Sequence, residues 1–389
     1  MCDGACVSGG SEVNCSACGH VCRSDDVPHS RPVCIVGNCT WVCTTGFGDC
    51  DLTGANGCEV DVRTSPSHCG RCYRACPGGA PCVGGRCVEQ RSCQGGDGGI
   101  PGCGLVEIPG GEFTMGDPDP ATGDAGNSSP RQPNIRVSAF VMDRYEVTVA
   151  RFRRFWNATD AGTGASGGVL NYPGDASVSL PDGAGAPSGR SPPDAAGTDH
   201  SRMCNWTSEP GDREGHPLNC ITWHTAQAFC LWDGGRLPTE AEWEFAARGA
   251  DPGATRRPWP WGESFDGTRL CWNGCPPSPP RPNESIEGCT GTCPEEGTYD
   301  GGISPFGVWH MAGNVYEWVA DGYAPYGDSR CWGTRDGGQQ DPLCNNGGDR
   351  EVRGGSWITD TPLLHRSTTR SNHGTNGNNI IGLRCARSR

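Results

Sequence analysis

The chain of 389 residues holds 62 Gly and 32 Pro and is only 34% hydrophobic; a length of this order accommodates one or two domains. All 31 basic residues are Arg, which excludes Schiff-base lysine chemistry and a Walker A phosphate loop. The net charge of -14 argues against a nucleic-acid footprint, which needs a basic face, and no 18-residue apolar run is present to make a transmembrane helix.

Cysteine divides the chain. Seventeen of the 27 Cys fall between Cys2 and Cys103, whereas 12 of the 13 Trp lie beyond residue 104. The first region is too poor in large apolar residues to build much of a core, so it reads as a small module held by covalent staples. Within it Cys15-x2-Cys18-x3-Cys22 recurs as Cys69-x2-Cys72-x3-Cys76. Each copy is followed by a Cys-x4-Cys unit, Cys34 to Cys39 and Cys82 to Cys87. Repeated spacing of this kind marks an internal duplication. CxxC is also a zinc spacing, but the scarcity of His and the density of Cys favour a disulfide framework, whose connectivity spacing does not fix. Between the copies, Asp49, Asp51, Asn56 and Glu59 loosely echo a calcium loop, although position 12 of that frame is Val60 where Glu belongs. The alternative is a polar turn stapled by Cys50 and Cys58. Disulfides persist in oxidising compartments, so a secreted, periplasmic or cell-surface location is expected; no signal peptide is seen at MCDGACV.

Beyond residue 104 local structure becomes legible. IPGGEFTMGD reads as a short strand and turn, and AFVMDRYEVT mixes β-formers with a polar stretch. Val149, Phe152 and Phe155/Trp156 recur at helical spacing. Residues 157–203 are rich in Gly, Ser, Pro and Asp and are expected to form a long unstructured insertion. A second helix is expected over Thr222 to Trp232, with Ala226, Phe229 and Cys230 on one face. In RLPTEAEWEFAARG a third helix opens on the capping box Thr239/Glu242 and stops at Gly249. Glu240, Glu242 and Glu244 invite an acid–base reading, but acids in a first turn favour the helix dipole, which is the expectation here. HExxH is absent.

Seven stretches then follow one another in a recognisable order: GGEFTMG (110–116), DRYEVT (143–148), RLPTEAEWEFAARG (236–249), PWG (260–262), FGVWHMAGNVYEW (306–318), RGGSW (353–357) and GLRCA (382–386). Together they resemble the formylglycine-generating enzyme family, also called the sulfatase-modifying-factor domain. The resemblance implies an irregular α+β, C-type-lectin-like fold with little regular secondary structure. It also implies a disulfide between Cys230 and Cys385, with Cα atoms about 4.4–6.8 Å apart.

The activity the resemblance implies is oxidation of a substrate-protein cysteine to formylglycine with copper and oxygen. That chemistry needs two thiols, because soft thiolates hold Cu(I). Aligned without a gap, the two family positions are Thr359 and Leu364; aligned on the later HRS, they are Leu364 and Thr369. No Cys occurs between Cys344 and Cys385, so copper is not expected in either register. Ser356 matches a pocket serine, and Tyr316 stands where the family usually has Trp. His365 and His373 lie in the altered segment, where surface or capping roles are expected over a replacement metal site. Family calcium positions fall on Gly313, Val315 and Glu317, with His310 in place of an oxygen ligand; the alternative is an ion pair of Glu317 with an Arg such as Arg353.

The expected organisation is therefore a duplicated cysteine-rich module over 1–92, a linker over 93–103 and the family-like domain over 104–389. The expected function is that of a non-catalytic binding or surface protein whose partner is a protein or peptide. A glycan is the partner to consider if the Trp of RPWPWG or NVYEW are exposed. The alternative is a variant metal-dependent oxidase or oxygenase acting on a protein or peptide.

Overall fold

A computed structural model describes residues 28–35, 38–53, 57–76, 80–94, 99–116, 132–158, 169–172, 175–179, 204–207, 209–250, 257–272, 292–293, 302–332, 338–345 and 348–388. The chain forms two compact units, Met1–Gln90 and Arg91–Arg389.

Among its described residues the first unit has three two-stranded antiparallel ribbons: β1 (Ser30–Ile35) with β2 (Asn38–Cys43), β3 (Phe47–Gly48) with β4 (Val60–Asp61), and β5 (Cys82–Val83) with β6 (Arg86–Cys87). Ribbons this short are not stable alone. Disulfides Cys43–Cys58, Cys50–Cys72, Cys69–Cys82 and Cys76–Cys87 hold them. The second cysteine repeat is thus a disulfide framework; Cys15, Cys18 and Cys22 of the first lie outside the described residues. Cys50 and Cys58 staple the turn between them to other cysteines and not to each other. Inside that turn Asp51 Oδ1 accepts from the Thr53 amide at 2.8 Å and Glu59 Oε1 from the Cys50 amide at 2.8 Å. Asn56 lies outside the described residues.

In the second unit, β7 (Leu105–Ile108), β10 (Phe140–Asp143) and β17 (Ala386–Ser388) form an antiparallel sheet with β10 in the middle. β10 reads FVMD and all four residues are buried, as suits a strand covered on both faces. β8 (Gly111–Met115) pairs with β9 (Gln132–Val137). A four-stranded sheet runs β15 (Arg370–His373), β14 (Arg350–Arg353), β13 (Tyr316–Gly322), β16 (Ile381–Gly382); β13 and β16 are parallel and the other pairs antiparallel.

Helices α1 (Val149–Ala158), α2 (Trp223–Trp232) and α3 (Glu240–Arg248) fall where the spacing predicts them. Thr222 caps α2, and the Thr239/Glu242 box caps α3 in both directions. Gly249 ends α3 at φ 80°, a left-handed angle that glycine adopts without strain. One core cluster gathers Ile108, Phe113, Met142, Trp243, Phe245 and Val319; a second gathers Phe152, Phe155, Phe229, Trp318, Ile381 and Leu383. The Cys230–Cys385 disulfide, with Cα atoms 5.4 Å apart, ties α2 to the segment entering β17.

Two expectations about organisation change. The segment 93–103 is no free linker: the Cys93–Cys103 disulfide closes it, and its neighbour Ser92 is buried in the second unit. Ser92 donates its amide to Asp233 Oδ1 at 2.6 Å and accepts from Arg151 Nε at 2.9 Å. The 157–203 insertion is not without structure, since Val169–Tyr172 (β11) and Asp175–Ser179 (β12) pair as a hairpin; the rest of it, from 159 on, lies outside the described residues.

Candidate functional site

The site forms where the turn before β13 meets the turn after β14. The Gly313 amide donates to Gly354 O at 2.8 Å, and the Trp357 amide to Asn314 O at 2.8 Å. Asn314 is the buried clasp: its Nδ2 donates to Glu146 Oε2 at 2.6 Å, and its Oδ1 accepts from the Cys293 amide at 2.9 Å. The backbone here is left-handed at His310 (φ 56°), Gly313 (φ 80°), Asn314 (φ 58°), Gly354 (φ 100°) and Gly355 (φ 79°). Such angles are costly outside glycine, so the fold holds His310 and Asn314 in place by their surroundings.

These turns bring Tyr316, Ser356 and Thr359 together. Ser356 Oγ and Thr359 Oγ1 are 3.1 Å apart, and the Tyr316 side chain hydrogen-bonds Thr359. Burial pushes the Tyr316 phenol above its ordinary range, with the Thr359 bond opposing. The three hydroxyls are therefore protonated at neutral pH and can only exchange hydrogen bonds. Sequence reasoning singled out all three residues but not their joining into one cluster.

His365 corrects an expectation. It ends a 3-10 turn, Pro362–His365, and is fully buried. Its Nε2 lies 3.3 Å from Thr359 O, its Nδ1 lies against Gly355, and Trp272 meets its ring edge-on at 5.8 Å. A Cβ at Gly355 would come within 2.3 Å of Nδ1, so that glycine makes the room. Burial lowers the His365 pKa to about 4, and the ring is neutral. His373, also read as a surface residue, ends β15 half-buried.

The remaining family positions fall as follows. Leu364 is partly buried beside His365, and Thr369 is buried with its hydroxyl on Leu363 O at 2.8 Å. All described Cys of this unit are in disulfides: Cys93–Cys103, Cys204–Cys220, Cys230–Cys385, Cys271–Cys293 and Cys331–Cys344. Hydroxyls, an aliphatic side chain and oxidised sulfur do not suit Cu(I), which needs soft thiolates. Glu317 is turned to Arg384, whose Nε and Nη2 donate to it at 2.6 and 2.8 Å, and accepts from Trp243 Nε1 at 2.8 Å. The ion-pair partner is thus Arg384 and not Arg353, and a calcium ion at Gly313, Val315 and Glu317 would share both carboxylate oxygens with a guanidinium.

Arg353 instead joins the acids of α3. It donates to Glu240 Oε1 at 3.1 Å and to Glu244 Oε2 at 2.7 Å, while Arg370 grips Glu240 at 2.6 and 2.8 Å. Glu240 and Glu244 therefore do more than favour the helix dipole: they are fully buried and neutralise two buried Arg. Glu242 keeps the capping role and also pairs with Arg236 at 2.6 Å. Glu351 and Asp321 are fully buried beside this network, and burial raises both carboxyls, Asp321 to about 7.

At the outer side, Trp259, Phe265 and Trp272 form a chain of ring contacts at 5.7 and 4.9 Å. Arg366 lies over Trp259, while Ile358 and Leu363 are exposed. Trp259 and Trp318 are buried core residues.

Residues 100–389 match the sulfatase-modifying factor enzyme 1-like domain, and the chain belongs to that family. It is 33% identical over 301 residues to the formylglycine-generating enzyme of Streptomyces coelicolor, covering 73% of this chain and 88% of that protein. It is 30% identical over 302 residues to a Mus musculus protein named inactive C-alpha-formylglycine-generating enzyme 2, covering 73% and 85%. Among solved structures, PvdO from Pseudomonas aeruginosa aligns at 23% identity and TM-score 0.47, over 73% of this chain and 94% of that one.

Proposed function

We propose that the second unit is a non-oxidising binding domain of C-type-lectin-like build, which holds a segment of a protein or peptide outside the cytoplasm without modifying it. The observation that carries this reading is the Tyr316–Thr359–Ser356 hydroxyl cluster, which occupies the turn where copper-holding thiols are expected. A buried set of neutral hydroxyls offers no electron-rich sulfur to a metal. Exposed Ile358 and Leu363 add apolar surface beside it. The disulfides of both units support an oxidising compartment, and no described helix is long and apolar enough to cross a membrane.

A variant metal-dependent oxygenase is the competing reading, and buried His365 is the observation that would favour it. Among the described residues, no His, Cys, Asp or Glu gathers with His365 as a ligand group.

The deciding experiment incubates the purified full chain with Cu(I), then measures bound copper, oxygen uptake and aldehyde formation on a CxPxR-type peptide. The same peptide, biotinylated, is used for capture. Little copper and no aldehyde are expected. Stoichiometric copper together with peptide oxidation would overturn the reading.

A further inference from the structure

The first unit carries a cationic face that its acidic chain does not advertise. Residues 62–87 contain four Arg and no Asp or Glu, within a chain of net charge -14. The fold brings together the backbone segments that carry those arginines. The Gly70 amide donates to Val62 O at 2.7 Å and the Gly85 amide to Arg63 O at 3.1 Å, next to Arg71 and Arg86 in sequence. A Cβ at Gly70 would stand 2.5 Å from Gly85 O and 3.5 Å from Arg74 Nη1. Arg74 Nη1 thus stands at the Gly70–Gly85 contact, Arg71 and Arg86 follow those two glycines in the chain, and Arg63, Arg71, Arg74 and Arg86 are all exposed. Arg63 is engaged by Asp61 at 2.6 Å. No carboxylate among the described residues pairs with Arg71, Arg74 or Arg86.

An aromatic ring, adjacent to Arg74 in the chain, is fixed beside Cys50 and His68. Tyr73 is 69% exposed, yet its hydroxyl donates to Cys50 O and its amide donates to His68 Nδ1 at 3.0 Å. Its backbone sits at φ 60°, which a non-glycine residue adopts only when its surroundings enforce it. The Cys50–Cys72 disulfide beside it supplies that enforcement. An exposed apolar ring held still in a strained backbone is the kind of outlier from which a binding role follows.

The duplication provides an internal control. Cys69, Cys72, Cys76, Cys82 and Cys87 have counterparts in sequence in Cys15, Cys18, Cys22, Cys34 and Cys39, so the cysteine spacing within each half of the repeat is kept. At the face, Arg71, Tyr73, Arg74 and Arg86 correspond to Ala17, Gly19, His20 and Asn38. A scaffold needs only the cysteines; the residues gained in the second copy are a cationic and aromatic set.

We propose that Arg71, Tyr73, Arg74 and Arg86 form a binding face for an acidic polysaccharide bearing sulfate or carboxylate groups. Guanidinium forks pair bidentately with such oxyanions. The flat ring takes the apolar C–H face of a sugar, a contact that phosphate-rich duplexes do not offer to a single tyrosine. The proposal stands on the first unit alone and is independent of what the second unit binds.

The test uses the full-length disulfide-bonded protein against heparin, polygalacturonate, neutral dextran and duplex DNA at several salt concentrations. Binding to heparin or polygalacturonate, with none to dextran and weaker binding to DNA, is expected. The R71S/R74S/R86S variant should lose about tenfold or more in affinity and show a shallower salt dependence. Y73S should weaken polysaccharide binding while leaving the salt dependence unchanged, and Y73F, which keeps the ring but loses the bond to Cys50 O, should recover part of the loss. Melting temperatures of all variants, set beside wild type, separate loss of the face from loss of the fold. Equal retention of wild type and the triple variant overturns the proposal. So does DNA binding as tight as polysaccharide binding, which would reduce the face to a general polyanion contact.

Discussion

Glu317 and Arg384 stand 67 positions apart in the chain and meet, both fully buried, through two hydrogen bonds of 2.6 and 2.8 Å. Arg384 also donates to Trp309 O at 2.8 Å, so one guanidinium joins β13, the turn before it and the segment leading into β17. A buried pair of this kind stabilises little against a hydrophobic replacement, but breaking it leaves a charge without compensation.

Arg384→Met should therefore destabilise the second unit by about 3–5 kcal/mol. The R384M/E317L double variant should recover much of that loss, because it removes both charges. Urea unfolding followed by tryptophan fluorescence measures both, and a double variant as unstable as the single one would contradict this account.

The Cys230–Cys385 bridge closes a loop with a sequence separation of 155. Loop-closure entropy gives such a bond about 5 kcal/mol, less any strain in the fold. The C230A/C385A variant is expected to melt well below wild type, while the first unit, whose described disulfides are all its own, should keep its resistance to proteolysis.

Glu240 joins Arg353, Arg370 and the Tyr326 hydroxyl, the last at 2.7 Å. Glu240→Gln keeps the shape but leaves two guanidinium groups short of a counter-charge, at a cost of roughly 3–5 kcal/mol. Glu242→Gln, which keeps an amide oxygen for the cap and faces the partly exposed Arg236, should cost less than Glu240→Gln, about 1–2 kcal/mol. Thermal melts of the two variants side by side give the comparison.

The pH dependence contains two opposed contributions. His365 is neutral in the fold at pH 7, its pKa lowered to about 4 from 6.5 by burial. The unfolded chain takes up its proton first, so this contribution is complete above pH 6.5 and is lost as pH falls towards 4. Asp321 has the reverse sign: burial, then Glu240, raises it from 3.8 to about 7, so the fold holds its proton longer and stability falls as pH rises through that window. The two slopes offset one another in wild type between about pH 4 and 6.5. His365→Asn should expose the Asp321 slope, and stability of that variant should fall on going from pH 4 to 6.5. Denaturation curves at four pH values across the window test this; a variant with the same profile as wild type would exclude the assignment.

What the sequence made legible was local or carried by the family resemblance. Thr239, Glu242 and Gly249 mark helix α3 because caps act over three or four residues. The Cys230–Cys385 bond followed from the resemblance. Long-range partners were not legible: nothing in the spacing distinguishes Arg353 from Arg384 as the partner of Glu317, since the choice depends on how β14 and β17 enter the core. The burial of His365 depends on the missing Cβ of Gly355, ten residues earlier and across a turn. The Cys50–Cys72 pairing was equally hidden, because cysteine spacing leaves many connectivities open.

The Cys230–Cys385 stitch also sets the order in which the second unit can be assembled. Strand β10 lacks its β17 neighbour, Glu317 its guanidinium and Arg236 its backbone bridge to Ala386 until residues 384–388 have been synthesised. A growing chain that has reached residue 380 therefore carries an open sheet edge and an unneutralised interior acid. Closure therefore waits for residues 384–388, and a ribosome-stalled or C-terminally clipped chain should be cleared by proteases instead of surviving as a shortened domain.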